Sequence, residues 1–181
     1  MAVRITYFVH GSTTDNEEWL SSWRYDVELS EVGIGQSLEL RNQIDTSVFD
    51  VVFCSDFKRA FNSAKLAFED KVPIIQDTRL RECNYGEYNE KASALVEPLQ
   101  EKSVHKKFPK WESYEDVKKR IEDFLSFLKI NYDDKHVAIV AHKAPQLALD
   151  VIIKGKTWKE AFADDWRKTK EWQPGREYVL E

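Results

Sequence analysis

Two histidines and an arginine stand where this chain could hold a phosphate group. His10 ends the run Val3 to Val9, and His142 ends the run Val137 to Ala141. Arg59 follows the run Asp50 to Cys54, just past Ser55-Asp56, in the first turn of an expected helix. If these runs are parallel strands, their carboxyl ends lie on one edge of a sheet, where open α/β sheets bind ligands. Helix N-termini on that edge add N–H donors and the positive end of a dipole. Two imidazoles and one guanidinium converging there form a cationic cup suited to phosphate. The spacing of the histidines fits no local zinc-binding pattern, so neither a metal nor a cofactor is expected.

The elements that must position these groups are legible as alternating patterns. Val3 to Val9 is β-branched and aromatic, and reads as a strand. A polar loop runs from Gly11 to Asn16, and Ser30 to Ile44 reads as a helix with Ser30 as its N-cap. Asp50 to Cys54 and Val72 to Gln76 are short buried strands. Between them Phe57, Ala60, Phe61, Ala64 and Phe68 recur at helical spacing. Residues 78–112 keep no sustained period, apart from a short helix near 91–101. Ser113 then caps an amphipathic helix with Val117, Ile121, Phe124, Leu125 and Leu128 on one face. Val137 to Ala141 is a continuous apolar run, as in strands buried on both faces. Pro145 to Lys154 reads as a helix, and Glu177 to Leu180 as an edge strand behind a Trp-rich tail of packing residues. Strands alternating with helices imply an α/β fold in three layers, a mostly parallel sheet with helices on both faces.

Composition bounds the rest. The 181 residues are 42% hydrophobic and 33% charged, enough to bury a core in one domain spanning residues 1–181. A net charge of −5 argues against a nucleic-acid partner. The absence of a leader pattern or membrane-length apolar run predicts a cytoplasmic protein. Cys54 and Cys83 are then free thiols, Cys54 as a buried strand residue and Cys83 as a candidate reactive thiol. His105 and His136 read as surface residues, and Lys143 as a solvent-facing lysine.

Six segments in order resemble the histidine phosphatase superfamily, whose fold is phosphoglycerate mutase-like. They are Val9-His10-Gly11 with Thr13 and Asn16; Leu29-Ser30-Glu31-Val32-Gly33 with Gln36; Cys54 to Ala60 with Ser63-Ala64; Leu80-Arg81-Glu82 with Gly86; Glu112-Ser113 with Arg120; and Val137 to His142. The resemblance spans nearly the whole chain. It implies a phosphatase acting on a small phosphomonoester, with His10 as the nucleophile that becomes phosphohistidine. Arg59, Asn16 and His142 would hold phosphate oxygens, and Glu82 would protonate the leaving alcohol and later help water attack. Glu82 should therefore be partly buried or close to another anion.

The chain departs from the pattern at four places. Val9 stands where the family has an arginine that grips phosphate, a contact of about 1.5–3 kcal/mol. Lys143 replaces the usual glycine after the second histidine, and could put an ammonium into the cup. Tyr88-Asn89-Glu90-Lys91 and Trp111 alter an irregular, substrate-facing insert at about 83–112. Three functions stay open on this reading. They are a phosphatase, a catalytically weak or inactive phosphate-binding domain of the same fold (the reading Val9 favours), and, disfavoured by the brief insert, a phosphoglycerate-type mutase.

Overall fold

The computed structural model describes residues 2–22, 27–68, 71–109, 111–169 and 175–181. In chain order its principal elements are β1 (Val3–Val9), α1 (Thr14–Glu17), α2 (Glu31–Gln43), β2 (Val51–Cys54), α3 (Lys58–Phe68) and β3 (Ile74–Gln76). There follow α4 (Ser93–Val96), α5 (Tyr114–Asn131), β4 (His136–Ala141), α6 (Lys143–Ile152), α7 (Trp158–Ala163) and β5 (Arg176–Leu180). The strands form one sheet in the order β3-β2-β4-β1-β5. The first four are mutually parallel, and β5 closes the edge antiparallel to β1.

Alternation along the buried strands feeds two cores. Ile5 and Tyr7 of β1, Phe53 of β2 and Ile139 of β4 pack on the side of α5, α6 and α7. Phe8, Val52, Cys54, Ala138 and Val140 pack on the other side with Leu40 of α2 and Phe68 of α3. This is why the VVFC and VAIVA runs are apolar throughout: each residue faces one core or the other. No helix among the described residues is long and apolar enough to cross a membrane.

Several boundaries differ from the sequence reading. β3 begins at Ile74 rather than Val72, because Pro73 has no N–H and enters the ladder only through its carbonyl, which accepts from Val52. The polar loop after His10 contains α1, capped reciprocally by Thr13 and Asn16. The Trp-rich tail contains α7, with a capping box from Thr157 and Glu160. His136 is not a surface residue. It is buried, its Nε2 lies 2.8 Å from Thr6 Oγ1, and its ring sits 4.5 Å from that of Phe49. Cys54 is buried in β2, as its apolar neighbours imply.

Candidate active site

Strand register brings the polar ends together. Val9 pairs with Ala141 and Cys54 with Val140, so His10, His142 and Ser55 leave the sheet side by side. Ladder bonds extend past the strands: His10 N–H donates to Ala141 O (3.0 Å) and Ser55 N–H to Val140 O (3.2 Å). The His10 and His142 rings then lie 5.0 Å apart, edge to face.

The loop carrying His10 is fixed by close backbone approach. A Cβ on Gly11 would meet Gly33 O at 2.3 Å, and one on Gly33 would meet Ser12 O at 1.9 Å. Gly11 N–H donates to Ser63 Oγ of α3 (2.9 Å), and Ser12 N–H to Gln36 Oε1 of α2 (2.8 Å). The segment Leu29 to Gln36 thus acts by letting α2 touch the loop that carries His10.

The two imidazoles are prepared differently. His10 Nδ1 lies 2.7 Å from Gly11 O, a carbonyl that can only accept. Nδ1 therefore carries the hydrogen, and Nε2 presents a lone pair. Burial first, and the nearby Arg59 charge second, push the His10 imidazole down to about 3. His142 is fully buried and is held well below its ordinary value, again by burial and then by Arg59. Neither of its ring nitrogens has a partner among the described residues, a costly state for a buried group. Unlike His10, the His142 side chain does not line the cavity of the site but lies against the His10 ring. Its backbone is pinned: Tyr7 Oη donates to His142 O (2.6 Å) and accepts from His142 N–H (3.0 Å).

Arg59, in the first turn of α3, is buried at 2% exposure and donates to Ser22 O (3.2 Å). Glu82 is also buried, and three backbone N–H groups converge on its carboxylate. Cys83 and Ala144 donate to Oε1 (2.8 and 3.0 Å) and Lys143 to Oε2 (3.1 Å). Two of these are first-turn donors of α6 that would otherwise lack partners. Pro145, next in the same turn, has no N–H to satisfy, so α6 starts at Lys143, ahead of the Pro145 start the sequence suggests. Arginines hold the Glu82 segment from both sides. Arg81 grips Asp56 through Nε and a terminal nitrogen (2.8 and 2.6 Å). Arg120 of α5 pairs with Glu112 (2.8 Å) and donates to the carbonyls of Arg79 and Glu82.

His10, Arg59, Glu82, Lys143 and Asn16 all line one cavity of about 470 Å³. Asn16 is exposed at its rim. Its Oδ1 is engaged in the α1 cap with Thr13 N–H (3.1 Å), so Nδ2 is what it can offer an anion. The insert contributes Tyr85, Val96 and Gln100 to the wall, and Trp19 and Trp166 stand at the same cavity. Lys143 is not solvent-facing: its Nζ lies 2.9 Å from the buried Asp165 and its side chain is 19% exposed. Cys83 is fully buried and its thiol is pushed far up by burial, which rules it out as a ready nucleophile.

The sequence reading missed Arg167, Tyr7 and Gln146. Arg167 lines the cavity from the short turn after α7. No local pattern marks it, because only the return of the tail over α6 brings it there.

Comparison with known proteins places these features in a family. The model of the histidine phosphatase superfamily, branch 1, matches residues 7–162. The adenosylcobalamin/alpha-ribazole phosphatase of Salmonella typhimurium is 27% identical over 150 residues, covering 78% of this chain and 74% of that protein. Phosphoserine phosphatase 1 of Hydrogenobacter thermophilus is 27% identical over 154 residues, covering 76% and 72%. In fold, Bacillus stearothermophilus YhfR superposes with a TM-score of 0.83 at 20% identity, over 99% of this chain and 91% of that one.

Proposed function

The chain belongs to the histidine phosphatase superfamily, with its phosphoglycerate mutase-like fold, and from that premise we propose that it hydrolyses a small phosphomonoester through a phosphohistidine on His10, without a metal. The observation that carries the reading is the fixed tautomer of His10. Its Nδ1–H is tied to Gly11 O, leaving a neutral Nε2 lone pair at the cavity.

Phosphoryl transfer requires in-line placement and positive charge around the equatorial oxygens more than it requires covalent machinery. Arg59 supplies a fixed cation at the cavity wall, and His142, next to the His10 ring, supplies ring nitrogens that have no partner among the described residues. His10 Nε2 attacks phosphorus, the ester P–O bond breaks, and the alcohol leaves with a proton from Glu82. A water then gives a proton to Glu82 and attacks the phosphohistidine, the N–P bond breaks, and inorganic phosphate departs. The Glu82 carboxylate accepts two N–H bonds at Oε1 and one at Oε2, so Oε2 has the spare capacity for that proton. The cavity has room for an organic group beside the phosphate.

A binding domain without turnover is the second reading, favoured by Val9 beside His10. Hydrolysis of aryl and alkyl phosphates, with and without chelator, separates the two. We expect chelator-insensitive turnover that His10→Ala abolishes on both substrates. Glu82→Gln should slow the alkyl ester at least tenfold more than the aryl ester, since only the poor leaving group needs a proton. Clean absence of turnover with phosphate still bound supports the binding domain instead.

A further inference from the structure

We propose that Arg167 is the second arginine of the phosphate cup, reaching from the tail into the space that Val9 leaves open beside His10. The proposal deepens the phosphatase reading and rests on it.

Arg167 lines the cavity together with Val9 and His10, and it is hydrogen-bonded to Gln146 of α6. Val9 and Tyr7 alternate along β1 and face the same core, the side of α6. Tyr7 is the residue whose hydroxyl holds the His142 backbone. Of the charged groups around that hydroxyl, Arg167 acts on it most strongly, ahead of Glu82. The same guanidinium also bears on His10 and His142. Val9, which lines the same cavity as Arg167 and His10, provides no charge there.

Its side chain is held in advance. One terminal nitrogen donates to Asp165 Oδ1 (2.7 Å) and the other to Gln146 Oε1 of α6 (2.6 Å). Both acceptors are buried, and the Trp166 ring lies 4.7 Å from the guanidinium carbon. Burial alone would raise the Asp165 carboxyl, but Arg167 and Lys143 outweigh it and bring it down to about 2. Asp165 is therefore a permanent anion, shared between two cations.

Charge balance gives the arrangement a purpose. A phosphomonoester carries about −1.5 to −2 near neutral pH. His10 and His142 are neutral, so among the described residues of the inner cup Arg59 carries the positive charge. Arg167 and Lys143 against Asp165 add one net positive charge, which offsets the Glu82 carboxylate at the same cavity.

The test is a set of variants at positions 167 and 9, read by kcat and KM for p-nitrophenyl phosphate and by inhibition with inorganic phosphate. Arg167→Ala should lower kcat/KM at least tenfold and weaken phosphate inhibition comparably, and Arg167→Lys should recover part of both. Val9→Arg should restore activity when combined with Arg167→Ala, and should lower it in the wild-type background, where two guanidiniums compete for one space. Near-wild-type values for Arg167→Ala overturn the proposal. So does a loss that neither lysine at 167 nor arginine at 9 repairs, which would make Arg167 a packing residue. A wild-type protein that neither turns over nor binds phosphate overturns the phosphatase reading itself, and this proposal with it.

Discussion

His10 and His142 are kept neutral by burial and, secondarily, by Arg59, and this has a consequence for stability. Both groups bind a proton more weakly folded than unfolded. For His10 the unfolded chain holds the extra proton between about pH 3 and 6.5. Stability is then complete above about pH 6.5 and is lost as pH falls through that window. Each histidine contributes a slope of up to about 1.4 kcal/mol per pH unit. Urea midpoints measured from pH 7.5 to 5 should fall for the wild type and fall less steeply for His10→Gln. Equal slopes would contradict the buried neutral state. Of the residues proposed to carry the chemistry, His10, Arg59 and His142 were legible at strand ends, whereas Glu82 was legible only through the family resemblance. Arg167, Gln146 and Tyr7 were not legible, since their roles come from contacts between elements distant in sequence.

The α2 helix shows how an element can serve a site it does not line with a charge. Gly33 and Gly35 both lie within it, and alanine in a helix interior ordinarily gains about 1 kcal/mol over glycine. Gly35 has open space where a Cβ would go, whereas a Cβ on Gly33 would meet Ser12 O at 1.9 Å. Gly35→Ala should therefore stabilise by about 0.5–1 kcal/mol in urea unfolding. Gly33→Ala should destabilise by about 1–3 kcal/mol, and should also lower activity, because it pushes α2 away from the loop that carries His10. Most helices and strands were readable from apolar period and caps. α7 escaped notice although its Thr157-x-x-Glu160 capping box is in plain view, because the tryptophans beside it read as packing. Residues 78–112 resist any periodic reading for a physical reason. Side-chain clamps such as Arg120 with Glu112 hold the segment, rather than a repeating backbone pattern.

At the scale of the whole molecule, alternating strands and helices announce the parallel sheet, but the order β3-β2-β4-β1-β5 does not follow from alternation. That order puts β4 and β1 next to each other at the centre, which is what sets two histidine rings 5.0 Å apart. It also lets β5 pair with the outer side of β1. The short turn after α7 carries Arg167 against α6 and to the cavity. In the proposed reaction His10 receives the phosphoryl group. This transfer is tested most directly by mixing the protein with a 32P-labelled phosphomonoester, quenching in alkali within the first turnovers, and mapping the label by mass. The label should survive alkali, be released by acid, sit on His10, and be absent from His10→Ala. A label on any other residue, or turnover by His10→Ala at the wild-type rate, would contradict it.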